Sequence, residues 1–114
     1  MLAGAALNQS FIEQAPLVIA VCADLDLCQR AYGLRGRDLY SIQDTAAATQ
    51  NILLAAVAEG LGACWVGAFD EARVGAALEL DRGLRPLALI PLGRPVEPGE
   101  PGPRRPHEEL TSFS

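Results

Sequence analysis

The hydrophobic pattern of this chain resolves into stretches of helical period separated by short, unbroken apolar runs. Residues 2–14 set Leu2, Ala5, Ala6, Phe11 and Ile12 among polar neighbours and stop at Pro16, which predicts one short amphipathic helix. Leu17 to Ala23 (LVIAVCA) is a continuous apolar run rich in branched residues, the pattern of a strand buried on both faces. Residues 24–38 turn polar and carry Arg30, Gly33, Arg35, Gly36 and Arg37, which predicts a connecting loop with room for one helical turn around residues 27–32.

The longest periodic stretch follows. Ser41 is a good N-cap type and Asp44 puts a carboxylate near the positive end of the helix dipole. Apolar and small residues then run to Ala58 without proline or internal glycine, until Gly60 and Leu61 offer a left-handed stop followed by an apolar residue. Ile42, Ala46, Thr49, Leu53 and Val57 form one stripe, and Thr45, Ala48, Ile52 and Ala56 form a second beside it. A helix apolar over most of its circumference needs more partners than one small sheet offers, so a second contact surface is expected, from another copy of the chain or from a monomeric core around it.

Beyond that helix, residues 62–66 predict a strand, residues 69–78 a helix with Asp70 and Glu71 in its first turn, residues 81–83 a turn, and residues 86–92 a third strand. Helices and strands alternate, which favours a layered sheet with helices on its faces and right-handed crossovers wherever strands are parallel. Three strands make a thin sheet. From Arg94 to Pro106 the composition becomes RPVEPGEPGPRRP, which rules out a helix or central strand and predicts an extended arm. The chain therefore divides into an α/β core over residues 1–93 and a proline-rich arm over residues 94–114.

With 114 residues there is room for one domain and one core. Half the residues are hydrophobic and the net charge is −5, so neither disorder nor a nucleic-acid surface is expected. All nine basic residues are arginine, and no run of them tracks a phosphate backbone. The three cysteines, Cys22, Cys28 and Cys64, form no CxxC pair and have one histidine, His107, for company, so neither a metal site nor a disulfide framework is expected. Reduced thiols, no basic leader and no window apolar enough to span a bilayer make the cytoplasm the expected location, with no membrane involved.

No nucleophile, base and orienting acid assemble from the pattern, and no catalytic side chain is assigned. His107 lies in the arm beside two glutamates, and Asp24 with Asp26 reads as a loop end. The candidate site is Trp65, Val66, Gly67, Ala68, Phe69 and Asp70, where a strand end meets small residues and a helix start. With no bulky side chain in the way, backbone N–H groups can face a planar or anionic ligand there, although such turns also serve purely structural ends. Gly93 and Arg94 make a second strand end with a cation beside it. Arg104 and Arg105 place adjacent guanidinium groups on a reaching arm, suited to a phosphate clamp or simply to solubilising the tail.

The runs APLVIAVCAD, RGRDLYSIQDTAAATQNILLAAVAEGLGACWVGAFDE, LRPLALIPLGRPVEP and PRRPHEEL resemble, in that order, the C-terminal portion of the FMN-dependent nitroreductase family. The resemblance covers nearly the whole chain. It implies an α+β fold of three layers, a mixed β-sheet flanked by helices and truncated at the N-terminus, with the long central helix at an interface. It further implies a homodimer through helix 41–60, FMN at the subunit boundary, NAD(P)H as electron donor and a small-molecule electron acceptor. In the family, backbone amides of the loop after the strand face the flavin near N5. The matching positions are Gly67 and Ala68, with Val66 beside them, and the family's phosphate-binding arginine falls on Arg104 or its neighbour Arg105. Gly93 and Arg94 lie at the strand end nearest that path. The arginine- and serine-bearing segment with which family members begin, and the asparagine- and proline-containing stretch after it, have no counterpart here. Two functions are therefore expected in competition: a flavin-dependent NAD(P)H:acceptor oxidoreductase, or a shortened, non-catalytic dimerisation module or gene fragment that binds no flavin.

Overall fold

A computed structural model describes residues 1–113; Ser114, the end of the arm, lies outside the described residues. The elements in chain order are α1 (Leu2–Ala5), α2 (Phe11–Gln14), β1 (Leu17–Asp24), α3 (Leu25–Arg35), a π-helical turn (Gly36–Tyr40), α4 (Ser41–Ala58), β2 (Gly62–Ala63), α5 (Glu71–Ala77), β3 (Leu84–Gly93) and a 3-10 turn (His107–Glu109).

The sheet has the order β1-β3-β2, and both pairings are antiparallel, so the parallel crossovers expected of a mixed sheet do not occur among the described strands. β3 is the centre. Its period-2 alternation sends Ile90 and Leu92 to one face, where they meet Ala56, Ile52 and Leu53 of α4 together with Ile19 and Val21 of β1. Leu89 points to the other face, where Ala3, Ala5, Ala6, Ile12 and Val74 close over it from α1, α2 and α5. Helix, sheet and helices thus form three layers, as the resemblance implies.

Several expectations are corrected. The single helix over residues 2–14 is two four-residue turns, because Leu7 (φ 55°) and Asn8 (φ 57°) adopt left-handed conformations that reverse the chain between them. The break turns Ala5, Ala6 and Ile12 together onto the sheet, and asparagine tolerates that backbone region better than most residues. β1 is an edge strand, not one buried on both faces: only Ala23 is fully buried and Leu17 is 57% exposed. Its apolar run reflects the two helical layers it half-touches. The expected loop over residues 24–38 is mostly helix, started by Asp24, whose side chain accepts from the Leu27 N–H at 2.9 Å. α3 buries no residue, so it had no apolar stripe to read.

Ser41 is not a cap. The π turn runs straight into α4 with Tyr40 already helical (φ −64°, ψ −36°), and the Ser41 hydroxyl donates to the Arg37 carbonyl at 2.6 Å. The junction is close-packed: a Cβ on Gly36 would run into the Cys28 carbonyl oxygen and the Tyr32 side chain. The end of α4 is as expected. Gly60 takes φ 72°, its N–H reaches the Val57 carbonyl at 3.0 Å, and the Leu61 N–H reaches Ala56 at 2.8 Å, a complete Schellman stop. α4 buries Ser41, Thr45, Thr49 and Ala56 against the sheet and leaves Leu54 (60% exposed) and Val57 (73%) uncovered on its far side.

An ion pair joins α5 to β3. Arg85 donates from Nε (2.8 Å) and Nη2 (2.9 Å) to the two carboxylate oxygens of Glu71, and these bonds hold the Glu71 carboxyl below the ordinary glutamate range. A depressed folded-state value means that the stabilisation is present above the unfolded pKa, about 4.3, and is lost as pH falls through the folded one. Both side chains are more than a third exposed, so water screens the pair to about 0.2–1 kcal/mol. Glu71→Gln should lower stability at neutral pH by that amount, and denaturation curves of variant and wild type should converge once pH falls below the glutamate range.

Candidate functional site

The segment between β2 and α5 is held at both ends by residues far away in sequence. Val66 exchanges backbone bonds with Leu89, its N–H to the Leu89 carbonyl at 2.9 Å and the return bond at 3.0 Å, and its side chain is buried. At the other end the Asp70 N–H donates to the Ala5 carbonyl at 2.8 Å, and Gln9 Nε2 donates to the Ala68 carbonyl at 3.2 Å. Asp70 then starts α5 by accepting from the Arg73 N–H at 3.0 Å, so it is the cap and not part of the first turn.

Between these anchors stand Gly67 and Ala68, both exposed. Among the described residues their N–H groups donate to no protein acceptor. The Val66 N–H, by contrast, is spent in its bond to Leu89. Gly67 has no conformational need to be glycine: its φ lies outside the left-handed region, and a Cβ there would meet only Trp65 Nε1, at 3.8 Å. The free amides and uncluttered face leave room for a planar ligand whose edge carries hydrogen-bond acceptors.

Gly93 and Arg94 lie elsewhere on the sheet. They flank a shallow groove of about 210 Å³ with Phe11, Gly62, Cys64 and Pro95. Gly93 has a packing reason for its identity, since a Cβ there would stand 3.0 Å from Cδ of Pro16. Four residues along β3 separate it from the Leu89 position opposite Val66, about 13 Å at strand rise. One chain therefore does not bring the two candidate groups onto one ligand edge, though a long cofactor could span them. Arg104 and Arg105 sit on the exposed arm, where Arg104 Nη1 reaches only the Pro103 carbonyl, at 3.4 Å, and neither makes an ion pair among the described residues.

Other chemistry is sparse. Among the described residues no three His, Cys, Asp or Glu side chains come together as a metal would need. Cys22, Cys28 and Cys64 are free thiols, and burial raises the Cys22 pKa, keeping that thiol protonated near neutrality. His107 is exposed in the 3-10 turn. Sequence reasoning missed the tethers from Ala5 and Gln9, which span more than fifty positions and leave no local pattern.

Comparison with known proteins gives concordant findings. The model of the Nitroreductase family matches residues 3–94. A protein of Methanocaldococcus jannaschii that carries the nitroreductase name is 38% identical over 96 residues, covering 84% of this chain and 47% of its own length. A Methanothermobacter thermautotrophicus protein named as an NADH dehydrogenase/NAD(P)H nitroreductase is 38% identical over 99 residues, covering 83% of this chain and 47% of its own. The crystal structure of a nitroreductase family protein from Streptococcus pneumoniae superposes with a TM-score of 0.85 at 23% identity, covering 98% of this chain and 74% of that one. The chain spans about half the length of the curated relatives it matches. No helix of the described residues is long and apolar enough to cross a membrane.

Proposed function

Since this chain belongs to the nitroreductase family, we propose that it is an FMN-dependent oxidoreductase of the nitroreductase type. NAD(P)H is the electron donor, and the acceptor is a nitroaromatic, quinone or similar small molecule. The observation that carries this reading is the pair of unpartnered amides at Gly67 and Ala68 on an exposed loop fixed at both ends. Bound FMN supplies the hydride and electron chemistry, and the protein supplies binding and orientation. The Gly67 and Ala68 N–H groups bond the flavin edge, and Val66, locked to β3, sets where those groups stand. Arg104, with Arg105 beside it, neutralises the flavin phosphate. Gly93 and Arg94, at the end of β3, are the further residues that would help hold the cofactor.

The site is completed by a second copy of the chain. Leu54 and Val57 stay largely exposed on α4 along with a row of alanines, a surface that a helix of the partner can cover closely. Helix 41–60 is accordingly the proposed dimer contact, and the arm from Arg94 is the proposed bridge carrying Arg104 to the partner's flavin. The free thiols agree with the reducing cytoplasm as the place of action.

The test is a visible absorption spectrum taken after adding FMN and removing the excess by gel filtration. Retained flavin absorption is expected, with Arg104→Ala weakening binding by about 10- to 100-fold, the worth of one charge-assisted phosphate contact of about 1.5–3 kcal/mol. A colourless dimer would overturn the oxidoreductase reading and leave a dimerisation module.

A further inference from the structure

Ser41, Thr45 and Thr49 stand one helical turn apart on the buried face of α4. The first two turn their hydroxyls back onto their own helix. Ser41 Oγ donates to the Arg37 carbonyl at 2.6 Å, and the Thr45 hydroxyl lies 2.8 Å from the Ser41 carbonyl and 3.0 Å from that of Ile42. Thr49 has the same option four residues back, at the Thr45 carbonyl, since one of the two side-chain rotamers open to a helical threonine makes that bond. It does not take it. Its side chain is fully buried, and its Oγ1 has no hydrogen-bond partner among the described residues.

Thr49 borders a cavity of about 80 Å³ between α4 and β3, which it shares with Ile42, Thr45, Trp65, Leu87 and Ala88. Two consecutive strand residues line it because the ladder is irregular there: Val21 pairs with Ala88 and Cys22 with Pro86, so the register passes over Leu87. Such a bulge re-aims a side chain and leaves one residue out of the pairing. The volume exceeds the roughly 30 Å³ that one water takes up in the liquid, and a cavity holds water when polar partners line it. Three are at hand: the Thr49 hydroxyl, the Thr45 oxygen, which keeps acceptor capacity after its proton is committed, and the backbone of the bulged Leu87. None of the lining residues is charged, so an ion would find no counter-charge.

We propose that this cavity is a binding site for ordered water, in which one molecule accepts from the Thr49 hydroxyl and bridges to Thr45 Oγ1 and the Leu87 backbone. A buried hydroxyl left without a partner forfeits its hydration and gains nothing in return, whereas a bridging water is nearly as good a partner as a protein group. The water thereby joins α4 to β3 at the point where the strand ladder is interrupted, and it accounts for a threonine that ignores the carbonyl its two neighbours on the same face use. The site stands whether or not the chain binds FMN.

The experiment is a crystal structure of the full chain at a resolution that shows ordered solvent, paired with thermal denaturation of Thr49→Val. A water is expected about 2.5–3.0 Å from Thr49 Oγ1. Valine replaces the hydroxyl by a methyl of the same shape, so the variant should lose that water and melt lower by about 3–8 °C. An unsatisfied hydroxyl predicts the opposite sign, because removing it relieves its desolvation cost and raises Tm. A reading that needs no substitution is magnetisation transfer from water to the Thr49 methyl group in the unaltered chain, which a resident water produces and a dry cavity does not. No water at Thr49 Oγ1, no transfer to its methyl, a hydroxyl turned to the Thr45 carbonyl, or a Thr49→Val chain that melts no lower than the original overturns the proposal. Flavin retention is decided separately, by the spectrum described above.

Discussion

Gly67→Val is expected to abolish flavin retention while leaving the apo chain as stable as before. The two halves of that expectation have separate causes. Nothing within the chain requires glycine at residue 67: its φ is ordinary and a Cβ would find only the far edge of the Trp65 ring, at ordinary contact distance. The backbone cost of the substitution is therefore small, and a branched side chain even narrows the unfolded ensemble slightly. A ligand lying against the loop meets a different situation, since two methyl groups now stand between it and the N–H groups of Gly67 and Ala68. Losing both bonds, at about 1.5–3 kcal/mol each where charge assists, weakens binding by about two to four powers of ten. Thermal denaturation without flavin and a gel-filtration assay with it read the two halves independently. Gly93→Val serves as the contrast. Its Cβ would press on Pro16, so that variant should lose stability as apo protein. If Gly67→Val instead bound FMN normally, the free amides would have to be assigned to solvent alone.

What was legible in the sequence follows the hydrophobic pattern closely. α4 and its stop at Gly60 were readable because an uninterrupted apolar stretch and a glycine followed by leucine each have one dominant physical solution. β3 was readable because it is the buried centre of the sheet, and the run from Pro86 to Leu92 reflects both faces. α3 was not readable. It buries nothing, so its residues carry no periodicity, and Gly33, which sits inside it with φ 65°, reads as a loop residue. Ser41 misled for a related reason: its hydroxyl turned back to the Arg37 carbonyl, and a preceding π turn already supplied the helical residues a cap would have replaced. The candidate site divides in the same way. The small residues at positions 67 and 68 were visible as a gap in side-chain bulk, whereas the bonds from Ala5 and Gln9 that fix them, and the approach of the Trp65 nitrogen, exist only once the layers have packed.

The largest expected loss of stability belongs to Leu89→Ala. Leu89 is fully buried on the central strand, paired across the sheet with Ala20, and roofed by Ala5, Ile12 and Val74 from three different helices. Truncation leaves a void that none of these small or anchored residues can fill, and such substitutions cost about 2–5 kcal/mol. Against a total of about 5–15 kcal/mol for a domain, that is a large fraction, and it should appear as a fall in Tm of about 10–25 °C. Leu89→Met, which nearly conserves volume, should cost less than about 1.5 kcal/mol. The same position has a second consequence, because the Leu89 backbone holds Val66 through both bonds of the bridge and Val66 precedes Gly67 directly. Loosening the floor of the loop should weaken FMN binding beyond what global unfolding explains, measured at a temperature where the variant is still folded. A Leu89→Ala protein that lost stability yet bound FMN with unchanged affinity would separate the loop from the core, and the geometry of Gly67 and Ala68 would then have to be fixed from the Asp70 and Gln9 side alone.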